Sequence, residues 1–214
     1  MPSKSPKAKT TISTSAKAAI KPNAAVKPKA EVKARTVAKP AGKEQVGKKA
    51  PAAKAVGSDS LSLVGKKAPA FTLPDQDGKP VSLASLTARG PVVLYFYPKD
   101  STPGCTVEAC SFRDNLGAIR ARGAQVVGVS ADSTASHQKF IAKQSLNFPL
   151  LSDPSHTVTT AYGVYKKKSL YGREFMGIER TTFVIGRDGM VKQAFPKVKV
   201  NGHTEEVLEA LKQL

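Results

Sequence analysis

Every aromatic residue of this 214-residue chain lies after residue 60, since the eight Phe and five Tyr all fall between residues 71 and 195. The first 59 residues are rich in Lys, Ala and Pro, and they contribute +11 of the formal net charge of +18. Such a segment buries too little apolar surface to offset the entropy lost on ordering. We therefore predict a disordered basic tail over residues 1–59 and one folded domain over residues 60–214.

The cysteine count and the apolar stretches limit the class of protein. No apolar stretch approaches the ~20 residues that a membrane helix needs, and the first residues lack the apolar core of a secretory signal. The chain has only two cysteines, too few for the disulfide framework of a secreted domain. We expect an intracellular protein without a membrane span, whose two cysteines form a catalytic or redox-sensing pair.

Apolar runs alternate with helical patterns in the first half of the domain. Residues 91–97, PVVLYFY, are apolar throughout and predict a central strand buried on both faces. Helical spacing follows over residues 106–122, and a second apolar strand is predicted at 125–130. A helix over 134–144 and a short strand over 148–152 complete a β-α-β-α-β order.

Two Asp-Gly pairs between apolar stretches predict β-hairpins, one within residues 67–83 and one within residues 181–195. A final helix is predicted from a cap at Thr204 to residue 214. A mixed central sheet flanked by helices accounts for this order, and a thioredoxin-like α/β fold satisfies it.

The segment PKDSTPGC, residues 98–105, follows the central strand and ends with Cys105 at a predicted helix start. Unpaired amides of the first turn and the positive end of the helix dipole stabilise a thiolate there. A thiolate attacks peroxides, and the leaving oxygen requires fixed hydrogen-bond donors. Pro98 ends the strand and Thr102 can offer its hydroxyl, while Cys110 predicts a redox cycle in which a second thiol rescues the first.

Arg180 is the candidate cation for this site. It directly precedes the strand predicted at residues 181–185, and its planar fork of donors suits peroxide oxygens. The alternative is a strand-end arginine in a surface ion pair. Each thiol also has an alternative: Cys105 as a buried structural cysteine, and Cys110 as a small residue packed under the helix.

The string YFYPKDSTPGCTVEACSFRD, residues 95–114, resembles the peroxiredoxins, and most closely the bacterioferritin comigratory protein or peroxiredoxin Q subfamily. The resemblance covers the domain from about Leu63 onward and includes GIERTTFVIGRDG. The resemblance assigns five site residues: Cys105 as the peroxidatic cysteine, Cys110 as the resolving cysteine, Thr102 and Pro98 within the motif, and Arg180 as the active-site arginine.

This resemblance implies a thiol peroxidase that reduces hydrogen peroxide and organic hydroperoxides to water and alcohols. Cys105 would become a sulfenic acid, a Cys105–Cys110 disulfide would follow, and thioredoxin would reduce it. No metal, haem or flavin is implied, and the intrachain pair favours a monomer. A general disulfide oxidoreductase is disfavoured because its Cys-x-x-Cys spacing is missing.

The spacing of the two cysteines makes a structural demand. In an intact helix, residues five apart have Cα atoms roughly 8.6 Å apart. A disulfide needs less than about 7 Å. If Cys105 and Cys110 share one helix, its first turn must unwind before the disulfide can form.

The tail resembles the basic arms of linker histones, in which lysines neutralise phosphates. A Lys-rich extension on such a domain also resembles the nuclear thiol peroxidase form of fungi. We expect a nuclear location with non-specific nucleic-acid or chromatin contact through residues 1–59. The alternatives are a solubilising extension in the cytoplasm and a chromatin-associated redox sensor, while a mitochondrion or plastid is disfavoured by the scarcity of Arg.

The remaining polar features are interpreted as ordinary surface. His137, His156 and His203 are scattered singly, so we interpret each as solvated and expect no zinc site. The basic run at residues 166–168 is interpreted as an exposed loop.

Overall fold

The computed structural model describes residues 60–170 and 172–214, so the predicted tail at 1–59 lies outside the described residues. A 3-10 helix over Ser60–Leu63 opens this part of the chain. The strands are β1 (Thr72–Pro74), β2 (Pro80–Ser82), β3 (Val92–Phe96), β4 (Gln125–Ser130), β5 (Leu150–Ser152), β6 (Tyr165–Leu170), β7 (Arg173–Ile178), β8 (Thr181–Ile185) and β9 (Val191–Phe195). The α-helices are α1 (Leu83–Thr87), α2 (Pro103–Asp114), α3 (Leu116–Ala121), α4 (Thr134–Gln144), α5 (Thr157–Ala161) and α6 (His203–Leu211).

The central sheet has the strand order β5-β4-β3-β8-β9, with β3 in the middle and all five of its residues buried. β3 runs parallel to β4 and antiparallel to β8. The predicted mixed α/β sheet is therefore confirmed. Both predicted hairpins are also present, as β1–β2 and as β8–β9 within the sheet.

Alternate residues of β3 point into two different cores, as the pleat of a strand requires. Leu94 and Phe96 belong to a cluster that also contains Tyr162 and Phe183. The opposite face carries Val93, Tyr95 and Tyr97, which share a second cluster with apolar residues of α2, α3, α4 and α6. This second cluster includes Cys105, so α2 carries the thiol against the sheet.

The register of the sheet determines what surrounds the end of β3. Phe96, its last residue, lies opposite Thr181, the first residue of β8. The segment leaving β3 and the residue entering β8 therefore meet at the same edge of the sheet. Arg180 is consequently adjacent to the segment that leads into α2.

Several element boundaries differ from the sequence prediction. The helix predicted over residues 106–122 is two helices that meet at Asn115, whose side-chain amide donates to the Ser111 carbonyl at 3.0 Å. The strand near residues 67–73 is confined to β1, and α6 begins after Gly202 (φ 79°) rather than at a Thr204 cap. Helices α1 and α5 and strand β7 were not predicted.

The basic run at residues 166–168 was wrongly predicted as a loop, because it lies inside β6. The lysines fit a strand because β7 and the residue that follows it supply their partners. Lys166 pairs with Glu179 at 3.1 Å, Lys167 pairs with Glu174, and Lys168 donates to the Ile178 carbonyl at 2.6 Å. Within the described ranges, no helix is long and apolar enough to cross a membrane.

Candidate active site

Cys105 lies in the first turn of α2, where the sequence predicted a helix start. Thr102 is the N-cap and Pro103 occupies the first helical position, which suits a residue without an amide hydrogen. The Thr106 amide donates to the Thr102 carbonyl at 2.9 Å and is the first to bond within the helix. The amides of Gly104 and Cys105 precede that bond and therefore have no acceptor within the helix. Cys105 itself is only 1% exposed.

Pro98 ends the sheet ladder before this turn. Tyr97 still donates its amide to the Val129 carbonyl at 3.1 Å, but Pro98 has no amide and is exposed. The chain therefore leaves β3 at this residue and turns towards α2.

The structure brings Arg180 to Cys105 across 75 residues of sequence. Its Nη2 donates to Cys105 Sγ at 3.2 Å, and its Nη1 donates to Glu108 Oε2. A Cβ on Gly104 would lie 3.3 Å from the same Nη2, so glycine leaves room for the guanidinium here. Burial lowers the pKa of Arg180, but Glu108 and Cys105 outweigh burial and raise it, so the group is a fixed cation beside the sulfur.

Glu108 is a site residue that the sequence analysis missed. It lies three residues after Cys105 on the buried face of α2 and is 1% exposed. Burial raises its pKa to about 7, although the charge and hydrogen bond of Arg180 oppose the rise. Its Oε1 is buried without a hydrogen-bond partner among the described residues. A carboxylate on an otherwise apolar helix face was the signal that could have revealed it.

Thr102 lies at the predicted position, but its hydroxyl is already engaged. Thr102 Oγ1 donates to the Lys99 carbonyl at 3.0 Å. A donor role towards a peroxide therefore requires the hydroxyl to turn away from Lys99.

A buried polar network holds the segment between β3 and α2. The Asp100 carboxylate accepts hydrogen bonds from Tyr97 Oη at 2.7 Å and from Ser136 Oγ at 2.7 Å. His137 Nδ1 lies 2.9 Å from the same carboxylate. The next residue, Ser101, adopts a left-handed conformation with φ 58°. Asp100 thus connects the approach to Cys105 with the first turns of α4.

The interpretation of the histidines as solvated was wrong for two of them. His137 is 0% exposed because it shares the inner face of α4 with Phe140, three residues later. His203 is buried beside Thr182 Oγ1, which lies 2.8 Å from its Nε2, and burial lowers its pKa. His156 is half-buried and stacks on Tyr165. Across the described part of the chain, no three His, Cys, Asp or Glu side chains are grouped to hold a metal.

Cys110 lies in the same helix as Cys105, and both thiols are free. Cys110 is half-buried, and its Sγ donates to Gln144 Oε1 on α4 at 3.7 Å. Because α2 is continuous from Pro103 to Asp114, the two Cα atoms are separated by the roughly 8.6 Å of a regular helix. The two cysteines therefore share one helix, and that helix must unwind locally before a disulfide can form between them.

The fold and the thiol at the start of α2 define a thiol peroxidase with a thioredoxin-like architecture. The model of the AhpC/TSA family matches residues 64–194, and the chain belongs to that family. Within the family it is a peroxiredoxin of the bacterioferritin comigratory protein or peroxiredoxin Q type.

Relatives and solved structures agree on this assignment. The chain is 50% identical over 148 residues to a Coxiella burnetii protein provisionally named peroxiredoxin bcp, covering 69% of this chain and 97% of the relative. Peroxiredoxin Bcp of Bacillus subtilis is 44% identical, with 71% and 96% coverage. A structure of the Xanthomonas campestris bacterioferritin comigratory protein, studied for its alkyl peroxide reduction, has a TM-score of 0.64 and 45% identity over 67% of this chain and 90% of that one.

Proposed function

We propose that this protein reduces hydrogen peroxide and organic hydroperoxides with Cys105 as the attacking thiolate and Cys110 as the resolving thiol. The observation that carries the proposal is the 3.2 Å contact from Arg180 Nη2 to Cys105 Sγ. A guanidinium at that distance stabilises a thiolate and has further donors for peroxide oxygens.

In the first step, the Cys105 thiolate attacks one peroxide oxygen and the O–O bond breaks. The other oxygen leaves as hydroxide or alkoxide and takes up a proton to become water or an alcohol. Arg180 and the free amides at the start of α2 offset the negative charge that develops on the leaving oxygen. Thr102 contributes its hydroxyl once it turns from Lys99. The product on the protein is a Cys105 sulfenic acid.

In the second step, the Cys110 thiolate attacks the sulfur of that sulfenic acid. An S–S bond forms, the S–O bond breaks, and hydroxide leaves and is protonated to water. The separation of the two cysteines in an intact α2 requires that the first turns of the helix unwind before this step. Thioredoxin, a dithiol protein, then reduces the disulfide and restores both thiols. A single chain supplies both cysteines, so a monomer suffices.

The enzymatic proposal is tested by following thioredoxin-coupled NADPH consumption with hydrogen peroxide and with an alkyl hydroperoxide. Cys105→Ser should be inactive with both. Cys110→Ser should form the sulfenic acid once and then turn over poorly. Turnover by Cys105→Ser at the wild-type rate would exclude the assigned nucleophile, and full turnover by Cys110→Ser would exclude the intrachain disulfide.

The composition of residues 1–59 supports a second, separate role. Their excess charge of +11 favours contact with nucleic-acid phosphates and with it a nuclear location or a chromatin-associated redox function. The test compares the full chain with a chain beginning at Ser60, in cells and on DNA at low and high salt. Loss of nuclear accumulation and of salt-sensitive DNA binding supports the role, whereas unchanged behaviour leaves a cytoplasmic enzyme with a solubilising tail.

A further inference from the structure

Each cysteine of α2 lies near an arginine that is paired with a carboxylate, and the peroxidase chemistry described above gives a role only to the arginine near Cys105. Cys105 contacts Arg180, which is paired with the carboxylate of Glu108. Cys110 has Arg113 three residues later, paired with the adjacent carboxylate of Asp114 at 2.8 Å. Residues three apart on a helix are neighbours on its surface.

Gln144, the last residue of α4, holds Cys110 and Arg113 in place from the opposite side. Its side-chain oxygen accepts from Cys110 Sγ at 3.7 Å, while its main-chain carbonyl accepts from Arg113 Nη1 at 2.6 Å. The guanidinium is therefore fixed by two hydrogen bonds, one from Nη1 to Gln144 and one from Nε to Asp114. The Arg113 side chain is partly exposed, but these two bonds hold its guanidinium in a defined position on the side of α2 that carries Cys110.

Both Asp114 and Cys110 favour the charged form of Arg113. Its hydrogen bond to Asp114 is the main cause that raises its pKa, and the charge and hydrogen bonding of Cys110 raise it further. On α2 the charged group that interacts with the thiol is Arg113, whose ion-pair partner is Asp114, while α4 presents the uncharged Gln144 there.

These contacts have opposite preferences for the proton of Cys110. The bond to Gln144 Oε1 requires an S–H donor and so favours the neutral thiol. A guanidinium favours the thiolate, which is the form that attacks a sulfenic acid. When the first turns of α2 unwind, the contact to Gln144 Oε1 can break, whereas the bond from Arg113 to the Gln144 carbonyl lies at the opposite end of the helix from those turns.

We propose that Arg113 is the positioning residue of the resolving step, where its charge stabilises the Cys110 sulfur as it attacks the oxidised Cys105. The proposal rests on the proposed function, in which Cys110 resolves the sulfenic acid. The atoms balance as in that step: the S–S bond forms, the S–O bond breaks and water is released. Arg113 forms no covalent bond in this step and contributes only its positive charge.

The experiment measures the two chemical steps separately in the full chain. Because the protein has no Trp, reduced protein is mixed with one equivalent of hydrogen peroxide, quenched with an alkylating reagent and analysed by mass spectrometry. The sulfenic acid and the disulfide differ in mass, so their rates of formation are read separately between pH 6 and 9. The variants are Arg113→Gln, Arg113→Lys and the matched control Arg122→Gln, whose guanidinium instead bonds the Ala118 carbonyl.

Arg113→Gln should slow disulfide formation about tenfold at pH 7 and move its pH profile upward by about one unit. Arg113→Lys should retain most of the rate because it keeps the charge, and Arg122→Gln should match the wild type. Sulfenic acid formation should be unchanged in all three. If Arg113→Gln is poorly folded, Asp114→Asn provides the same test, since an uncompensated Arg113 should move the profile downward.

Three results would overturn the proposal: a wild-type pH profile in Arg113→Gln, equal slowing by Arg113→Lys, or equal slowing of both chemical steps. Failure of the underlying function is distinguishable, because it would appear as disulfide-independent turnover in Cys110→Ser with Arg113 intact.

Discussion

His137 Nδ1 lies 2.9 Å from Asp100 Oδ2, and both side chains are almost completely buried. Since an ionised carboxylate only accepts hydrogen bonds, the imidazole carries its proton on Nδ1 in this contact. The pair joins the segment that approaches Cys105 to α4, the helix that contacts Cys110 at its other end. Helix α4 therefore contacts the surroundings of both thiols. Its hydrogen bonds to Asp100 are more deeply buried than its hydrogen bond to Cys110.

Replacing Asp100 by Asn should destabilise the folded protein in a pH-dependent way. Burial raises the pKa of Asp100, but hydrogen bonds from His137, Ser136 and Tyr97 outweigh burial and hold it below its usual value. A carboxyl group whose pKa is lower in the folded protein stabilises the folded state at pH values above its unfolded pKa of ~3.9. That stabilisation is lost as the pH falls through the pKa of the folded state. At pH 7, Asp100→Asn should lower the free energy of unfolding by about 2 kcal/mol.

Urea unfolding followed by circular dichroism at pH 7 and between pH 2.5 and 4.5 measures both effects. The difference between wild type and Asp100→Asn should shrink as the solution is acidified. Ser136→Ala, which removes one neutral donor to the same carboxylate, should cost about 1 kcal/mol at pH 7. A difference that stays constant from pH 7 to 2.5 would contradict the assignment of a charged Asp100.

Variants of the Arg180–Glu108 pair should distinguish the contribution of Arg180 to stability from its contribution to the peroxide reaction. At pH 8, Arg180→Gln should lower the free energy of unfolding by about 3 kcal/mol, because Glu108 loses the cation beside its buried charge. The double variant Arg180→Gln with Glu108→Gln should recover most of that stability. Its sulfenic acid formation should nevertheless remain about 100-fold slower than in the wild type. Denaturant unfolding and rapid-quench mass spectrometry measure the two quantities, and recovery of the peroxide rate in the double variant would contradict a role for Arg180 at the sulfur.

Glu108 also predicts a stability change around neutral pH. Burial raises the pKa of Glu108 to about 7 in the folded protein. The folded state therefore binds more protons than the unfolded state between pH ~4.5 and 7, and its stability falls as pH rises through that window. Relative to Glu108→Gln, the wild type should lose up to roughly 3 kcal/mol of unfolding free energy between pH 4 and 8. Subtracting the unfolding free energies of Glu108→Gln from those of the wild type at each pH gives the contribution of Glu108. A difference that does not change with pH would contradict the raised pKa of Glu108.

The sequence predicted the strands whose apolar runs are continuous and missed the hairpin whose stability depends on partners. β3 and β8 are buried along their whole length and consist mainly of β-branched and aromatic residues, which favour strands. β6, in contrast, has the sequence YKKKSL, and its lysines fit a strand only when the acids near β7 are beside them. A local sequence pattern reveals a continuous apolar run, but it does not reveal which charged partners will lie beside a strand.

The same distinction applies to the site. Arg180 was predictable near Cys105 because it precedes a strand of the same sheet. Glu108 and Arg180 are 72 residues apart and Asp100 and His137 are 37 apart, so neither pairing follows from local periodicity. Their polar side chains are stable in the interior only because of these distant partners.

Oxidation should expose the first turns of α2 to solvent. In the Cys105–Cys110 disulfide form, amides between residues 106 and 113 should exchange faster than in the reduced protein, because a regular helix holds the two cysteines too far apart. Amides of α4 should keep their protection and act as the internal reference. Hydrogen exchange with mass spectrometry measures both segments, and equal protection of residues 106–113 in the two redox states would exclude unwinding. In Cys110→Ser treated with peroxide, no disulfide holds the helix open, so its protection should exceed that of the oxidised wild type.

Two glycines outside the site should show that the stability of the fold can be changed in either direction without altering the chemistry. A Cβ on Gly90 would lie 2.2 Å from the Gly123 carbonyl oxygen, a backbone atom that has little freedom to move. Gly90→Ala should therefore lower the free energy of unfolding by about 3 kcal/mol or more. Gly117 lies within α3, and a Cβ added there would meet no described atom within 4 Å outside its own helix backbone and chain neighbours, so Gly117→Ala should add about 0.5–1 kcal/mol. Denaturant unfolding measures both changes, and the sulfenic acid rate of each folded variant should equal that of the wild type. Equal stabilities would contradict the tight contact at Gly90, and a slowed peroxide step in folded Gly90→Ala would show that this end of β3 influences Cys105.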